Sequence, residues 1–314
     1  MIPLKDFISP THKELNYLYP TNMKTKTILT LALALGTSAS LNAAAVIYEG
    51  FTYPAADTAL AGNAGGTGLS GNWTAPSEST VEATNLTHGS LSTSGSATVA
   101  TGWNSGSPYV GIGGTTLNGL TGDSGELWMS LLYQAPTTGK IRFTVGIGDT
   151  YVTSNGNLNP SVTDAQAIGF SIPYNTQSAV PVMWETNNYD GGNVQNAPSG
   201  LASGSGLAIA RDGATHMFVL HAEWGADGVT NDTLTLYTPG TDLVLGSAIS
   251  TYEGIVSQDS FDTLFFSADQ SVGVLDEIRV GASYADVSPV PEPSAFALLA
   301  GFTGLVWVML RRRR

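Results

Sequence analysis

The stretch KIRFTVGI, residues 140–147, alternates apolar with polar or small side chains. Its apolar members Ile141, Phe143, Val145 and Ile147 therefore share one side of an extended chain. A period of two predicts a β-strand with one buried face. Similar short runs, separated by Gly, Asn, Asp and Pro, fill residues 46–287, where long helical periodicity is missing. The sequence therefore predicts an all-β domain.

Further runs of this kind predict the other strands. The clear ones lie at residues 127–133, 167–172, 180–184, 207–211, 215–224, 233–237, 263–268 and 274–280, and weaker ones at 45–51, 80–83 and 97–101. About a dozen strands are enough for two packed antiparallel sheets. Because there is no internal repeat of fixed period and no proline-rich linker before Ser288, we expect residues 46–287 to form one domain.

Both ends of this domain resemble known sandwiches. YEGFTYP (48–54), with GGTG (65–68) and Trp73, is similar to the opening of concanavalin A-like domains in exported bacterial proteins. LDEIRVG (275–281) resembles the last strand of the related laminin-G-like group, and the turn within 227–237 also fits. The resemblance implies a jelly roll of two antiparallel sheets, one of whose faces is concave.

Composition limits the functions available to the domain. Residues 46–290 carry 22 acidic residues against four basic ones, a net charge of −18. Such a chain repels phosphate backbones, so nucleic acid is not an expected partner. The chain has no cysteine, which excludes disulfides, a cysteine nucleophile and cysteine-based zinc sites.

The carboxyl-terminal region has the layout of a membrane sorting tail. A linker, residues 288–293, contains Val290, Pro291, Glu292 and Pro293; the uncharged segment 294–310 follows, and then the basic tail Arg311, Arg312, Arg313 and Arg314. The 17 residues of 294–310 form about 25 Å of helix, at the short end of what crosses a bilayer. The arginines are expected to stay cytoplasmic and act as the membrane stop.

This tail resembles the PEP-CTERM sorting signal of Gram-negative bacteria. The resemblance implies recognition by an exosortase, a membrane cysteine protease and transpeptidase-like enzyme, with removal of the tail near Pro291-Glu292-Pro293. Members of that family accompany exopolysaccharide and biofilm systems, so the body is expected at the cell surface or in the extracellular matrix. A permanent single-pass transmembrane anchor is the alternative.

A secretory signal is predicted at residues 23–45. Lys24 and Lys26 precede a short apolar run, and small residues follow, with cleavage expected after Ala43 or Ala45. Export through the Sec translocon is the corresponding expectation. Residues 1–22 do not fit this layout, and we predict that translation starts at Met23.

No motif in the domain predicts catalysis. His216 and His221 are five residues apart on a predicted strand, so they point to opposite faces, whereas His221 and Glu223 share one face. The clustered carboxylates are Glu78/Glu82, Asp259/Asp262 and Asp276/Glu277, the last pair predicted on opposite faces. None has the Glu-x-Asp-x-x-Glu spacing of sandwich glucanases.

Two binding hypotheses remain. Asp227, Asn231 and Asp232 bring hard oxygen ligands into one turn, which suits calcium; no other cofactor is expected. Trp103 and Tyr109 lie in a Gly/Ser-rich stretch and are candidates for sugar stacking, whereas Trp128 and Trp184 are predicted in the core.

The sequence thus predicts an exported, non-enzymatic structural or adhesive β-sandwich that binds exopolysaccharide. A lectin-like carbohydrate-binding module with a defined site is one alternative. A glycoside hydrolase or lyase acting on matrix polysaccharide is the other.

Overall fold

The computed structural model describes residues 45–53, 58–100, 108–139, 141, 143–149, 166–172, 178–184, 206–227, 229–268, 273–289 and 311. Within these ranges the strands are β1 (Ile47–Glu49), β2 (Leu69–Thr74), β3 (Thr80–Val81), β4 (Thr98–Ala100), β5 (Tyr109–Ile112), β6 (Glu126–Gln134), β7 (Phe143–Gly148), β8 (Ala167–Ile172), β9 (Ser178–Trp184), β10 (Leu207–Ala208), β11 (Thr215–Glu223), β12 (Asp232–Tyr237), β13 (Ser250–Gly254), β14 (Thr263–Ala268) and β15 (Gly273–Gly281). A 3-10 turn, Gln258–Ser260, and a short helix, α1 (Tyr284–Val287), complete the described elements.

The strands form two antiparallel sheets. The eight-stranded sheet has the order β13-β12-β11-β6-β15-β4-β3, with β1 paired to β15, and the seven-stranded sheet has the order β10-β9-β8-β7-β14-β5-β2. Their inner faces share one core, to which Met129 and Leu220 contribute from one sheet and Val145, Phe170 and Leu264 from the other. The predicted all-β fold, a jelly-roll sandwich of two antiparallel sheets, is confirmed.

The strand predictions hold for every run named above, and three strands are absent from them. Two of the missed strands, β2 and β13, lie at sheet edges, where β2 buries one residue and β13 buries none. An edge strand is specified by pairing with its neighbour more than by its own apolar pattern, so the sequence signal is weak. The third, β5, has only four residues and follows a stretch rich in Gly and Ser.

The prediction of a single buried face for residues 140–147 is wrong. All six residues of β7 are buried. On its outer side, Thr144 bonds Ser171 through their hydroxyl groups, 2.9 Å apart, and the buried Phe265 ring lies over Gly146. A Cβ atom on Gly146 would lie 2.7 Å from that ring and 2.4 Å from the carbonyl oxygen of Ile168, so glycine makes the close packing possible.

A β-bulge in β15 overturns the prediction that Asp276 and Glu277 face opposite sides. The register against β6 shifts between Asp276 and Arg279, and Glu277 has a φ of 56°. Leu275 and Ile278 both point into the core, so the two residues between them both point outward. Their carboxylates accept hydrogen bonds from the amides of residues 86 and 94, in one covering segment.

The predicted export segments fall largely outside the described residues. These are residues 1–44, with Ala43, and 290–310, with Val290, Pro291, Glu292 and Pro293, together with Arg312, Arg313 and Arg314. The chain divides into two units, residues 1–42 and 43–314, and every described residue belongs to the second. Across the described ranges, no helix has the length and apolar character needed to traverse a bilayer.

Candidate functional site

The outer face of the eight-stranded sheet is divided into a covered half and an open half. In the covered half, Leu86, Leu91, Leu243 and Val287 pack over outward-facing side chains of the sheet, among them Met217. They come from three segments, residues 84–97, 239–247 and 284–289. Hydrogen bonds hold the segments down: the Ser130 hydroxyl donates to the carbonyl of residue 287 at 2.6 Å, and the amide of residue 92 donates to the carbonyl of residue 289 at 3.0 Å.

The open half carries polar side chains in two rows across β6, β11, β12 and β13. The strand register places Glu126 opposite Glu223, Glu223 opposite Thr233 and Thr233 opposite Glu253. The neighbouring row consists of Trp128, His221, Thr235 and Thr251. All three glutamates are exposed. We call these eight residues the open face.

An aromatic cluster stands where the open face meets the covered half. The His221 and Trp128 rings are stacked, with centroids 3.9 Å apart and an interplanar angle of 15°. Tyr237 and Tyr284 are the other aromatic neighbours of the indole, with ring centroids 6.3 and 5.9 Å from it. The Tyr284 hydroxyl donates to the carbonyl of Leu243 at 2.7 Å, which ties the cluster to the covering segments.

Glu126 orients both rings of the stacked pair. Its Oε2 atom lies 3.2 Å from Nε2 of His221 and accepts from the Trp128 indole N–H at 3.3 Å. The His221 side chain is only 11% exposed, whereas that of Glu126 is 54% exposed. The imidazole and indole are therefore held in fixed orientations, while the exposed carboxylate of Glu126 can accept further hydrogen bonds.

The remaining polar groups of the cluster are neutral hydroxyls and an open carboxylate. Burial, followed by the negative charge of Glu223, raises the pKa of Tyr237, and burial raises that of Tyr284. Both phenols therefore keep their protons at physiological pH. Among the described residues, no side chain or backbone amide donates a hydrogen bond to Glu223. The cluster thus offers aromatic rings, hydroxyls and carboxylates to a polar ligand.

The outer face of the seven-stranded sheet differs in chemistry. Its described outward residues include Tyr109, Phe265, Val180, Val182 and Ala167, which pack on one another. The other described positions of this face are occupied by Gly, Ser, Thr, Asn and Ala, and none of them is Asp, Glu, His, Lys or Arg. This face, as described, supplies no general acid or base other than the Tyr109 phenol.

The two residues predicted to stack on sugars are not brought into the aromatic cluster. Tyr109 begins β5 on the outer face of the seven-stranded sheet and is half-buried against Phe265, and Trp103 lies outside the described residues. Their role in sugar binding stays a prediction. Trp128, predicted in the core, instead faces outward and is partly exposed.

The predicted calcium turn is held together by hydrogen bonds. Asp232 is fully buried, and its two oxygens accept from the amides of Gly225 and Val256, each at 2.9 Å. The amide of Asp227 donates to Oδ1 of Asp123 at 2.9 Å, and Asn231 is exposed. No group of three or more His, Cys, Asp or Glu side chains within the described ranges is placed to hold a metal ion. Calcium binding stays a prediction.

His216 and His221 do point to opposite faces of β11, as the spacing predicts. His216 lies beside Phe218 on the inner side, and burial lowers its pKa. Glu223 shares the outer face with His221, but the carboxylate that contacts the imidazole belongs to Glu126. The sequence analysis missed Glu126, Tyr237 and Tyr284, because their proximity arises from pairing between strands.

Comparisons with known proteins give no family assignment. No protein-family model and no curated protein matches the chain. Similar solved structures include the alginate lyase vAL-1 from Chlorella virus, with 6% identity, a TM-score of 0.40 and coverage of 62% of this chain and 88% of that one. The Emp46p carbohydrate recognition domain has 8% identity, a TM-score of 0.40 and coverage of 67% and 88%.

A protein of unknown function from Shewanella oneidensis MR-1, SO2946, is also similar, with 15% identity and a TM-score of 0.39. It covers 84% of this chain and 98% of its own. At such identities and TM-scores, these similarities carry no information on ligand or activity. The fold assignment rests on the strand topology, and the site on the geometry described above.

Proposed function

We propose that the chain is an exported surface or extracellular-matrix protein whose β-sandwich binds polysaccharide without cleaving it. The observation that carries the proposal is the aromatic cluster of Trp128, His221, Tyr237 and Tyr284 beside exposed carboxylates. Rings with an apolar body and polar neighbours suit the apolar faces and hydroxyl groups of sugars. The open face extends across four strands, about 14 Å, and suits a chain-like ligand.

The rigidity of the cluster supports binding. His221 is fixed by the stacking contact with Trp128 and by its contact with Glu126. A side chain that is already immobilised loses little rotational freedom when a ligand arrives, so more of the contact energy appears as affinity. The adjacent Thr233 and Thr251 hydroxyls and the Glu223 carboxylate provide hydrogen-bonding partners for sugar hydroxyls.

The test is a binding measurement on the full chain, purified in detergent, against an array of bacterial and plant polysaccharides. Trp128→Ala is expected to weaken glycan binding by about tenfold or more, equivalent to about 1.4 kcal/mol. Tyr109→Ala, on the other sheet, serves as the matched aromatic control and is expected to bind normally. Loss of binding in the Tyr109 variant alone would place the glycan on the seven-stranded sheet and refute the site.

A glycoside hydrolase is the second candidate, because Glu126 and Glu223 are directly opposed on neighbouring strands. Directly opposed residues have Cβ atoms about 4.5–5.5 Å apart, so their carboxyl groups can reach the separation of about 5–5.5 Å found in retaining glycosidases. Both carboxylates are exposed, whereas a general acid of this class is shielded from water. Release of reducing ends by the wild type, abolished by Glu126→Gln or Glu223→Gln, would support the hydrolase and contradict the non-enzymatic proposal.

The sequence of the carboxyl-terminal tail supports a route by which the protein reaches the cell surface. Removal of residues 294–314 by an exosortase-type enzyme, after export directed by residues 23–45, accounts for Val290-Pro291-Glu292-Pro293 standing directly before the apolar segment. Mass spectrometry of the mature protein from the producing cell tests this. A carboxyl terminus near Pro291-Glu292-Pro293 is expected, and a mature chain that retains Arg311–Arg314 would contradict sorting and favour a permanent anchor.

A further inference from the structure

We infer that the open face selects a polysaccharide that carries free amino groups, an amino-sugar polymer with protonated amines, over neutral, uronic-acid or sulfated chains. The inference rests on the proposed polysaccharide binding and adds the charge of the ligand. Its two foundations are the row of glutamates and the aromatic cluster beside it.

The glutamate row concentrates negative charge on one strip of sheet. Glu126 and Glu223 are cross-strand partners, and Glu253 follows across Thr233. Like charges directly opposite one another destabilise a sheet. A ligand with positive charges at sugar-unit spacing relieves that repulsion, whereas an anionic chain increases it.

Few cations offset this row. On the described outer face of the eight-stranded sheet, the basic side chains are His221, which contacts Glu126, and Arg279. Arg279 is 6% exposed and bonded to Glu277 and to the carbonyl of Ser92. Arg211 precedes β11, at the opposite end of that strand from Glu223. The glutamates therefore present their charge to the ligand.

The aromatic cluster selects the same sign of charge by a separate physical effect. The faces of indole and phenol rings are electron-rich and attract ammonium groups, while they repel carboxylates and sulfates. Trp128 donates a hydrogen bond to Glu126, the strand partner of Glu223, and Tyr237 and Tyr284 are ring neighbours of Trp128. His221 covers one face of the indole, so the partly exposed rings of Tyr237 and Tyr284 are the ones that an ammonium group can approach. At this boundary the ammonium group meets aromatic rings and carboxylates at once, while the hydroxyls of the sugar ring that carries it contact the neighbouring threonine hydroxyls.

Calorimetry on the full chain, in detergent, tests the inference with four hexasaccharides: glucosamine, N-acetylglucosamine, glucose and uronic-acid oligomers. At mildly acidic pH and low salt, we expect the glucosamine hexamer to bind at least about tenfold more tightly than its acetylated counterpart, and the uronic-acid hexamer to bind most weakly. The preference should shrink at about 0.5 M NaCl, because salt screens exposed charges.

Two variants separate a local effect from the general acidity of the chain. Glu223→Gln is expected to reduce the preference for glucosamine over N-acetylglucosamine at least about threefold. Asp259→Asn makes the same change in net charge at an exposed residue of the 3-10 turn, away from the open face, and should leave the preference unchanged.

The outcomes distinguish this inference from the proposed function. If no hexamer and no polysaccharide binds, the proposed function fails. If the acetylated or uronic-acid hexamer binds as tightly as glucosamine, polysaccharide binding stands and the charge selection is wrong. Equal losses in the Glu223 and Asp259 variants would also overturn it, because the preference would then come from net charge alone.

Discussion

Two sets of carboxyl groups in this sandwich differ in their burial and in how many hydrogen bonds their oxygens accept. Glu49, Asp232, Asp276 and Glu277 are at most 1% exposed, and backbone amides or buried side chains donate to them. Glu126, Glu223 and Glu253 stand exposed on the open face. Buried carboxyl groups without such donors would be too costly to keep, whereas exposed ones remain free to contact a ligand.

Glu49 illustrates the buried set. Its oxygens accept from the amides of Phe51 and Gly66, from the indole N–H of Trp73 and from the Tyr53 hydroxyl, at 2.7 to 3.0 Å. One side chain thereby fixes β1, the glycine-rich loop and β2. Asp276 and Glu277 hold the segment 84–97 over the outer face in the same way. Asp276 and Glu277 are adjacent in the sequence, so they are easily noticed as a pair, yet their role is structural. The functional candidates Glu126, Glu223 and Glu253 lie on three different strands.

Glu49→Gln is expected to produce the largest effect. Wherever the new amide NH2 group lies, it faces the N–H of Phe51 or those of Gly66 and Trp73, so buried donors lose their acceptor. We expect a loss of about 3–5 kcal/mol in the free energy of unfolding, measured by urea denaturation. Glu253→Gln, on the open face, is the control and should be close to wild type. Equal stability of the two variants would remove the distinction between the sets.

The pH dependence of stability should reveal Asp276. Burial, above all, raises its pKa from 3.8 to about 8. The folded chain therefore keeps a proton that the unfolded chain releases above about pH 4. The contribution of Asp276 to stability thus falls as the pH rises from about 4 to about 8, by up to about 1.4 kcal/mol per pH unit. The Asp276→Asn variant cannot lose this proton, and its urea midpoint should fall less steeply between pH 5 and pH 7. Parallel pH profiles for variant and wild type would show that Asp276 is ionised in the fold.

Asp232→Asn tests a smaller structural effect and the calcium hypothesis together. The new amide group would face the N–H of Gly225 or of Val256, at an expected cost of about 1–3 kcal/mol. If hydrogen bonds alone hold the turn, the loss is the same with calcium and with a chelator. A wild-type melting temperature that rises with calcium, with no such rise in the variant, would instead establish an ion at Asp227, Asn231 and Asp232.

Glu223→Gln should have the smallest effect on stability, and it should stabilise the fold where Glu49→Gln and Asp232→Asn destabilise it. Removing one of two directly opposed charges is expected to raise the free energy of unfolding by a few tenths of a kcal/mol. The same variant should weaken binding of an amino-sugar chain. A marked loss of stability would show that Glu223 belongs with the structural carboxylates and would remove the main reason to place a ligand there.

The sequence by itself determined the class of fold. The local pattern of short apolar runs bounded by turn residues located strands such as β6, β8, β11 and β14, and the period of two within a strand gave the face assignments of His216, His221 and Glu223. It failed at edge strands β2 and β13, where pairing rather than pattern defines the strand. It also failed at residues 276 and 277, because a single extra residue in the bulge changes which side chains share a face.

Only the tertiary structure decided the candidate site. Glu126 and Trp128 lie 95 and 93 positions before His221, and Tyr284 reaches Trp128 only because α1 folds back over β6. Which strands pair, and in which register, depends on the packing of two whole sheets around one core. Local patterns do not contain that information, so the exposed carboxylates beside the aromatic cluster become visible only in the assembled sandwich.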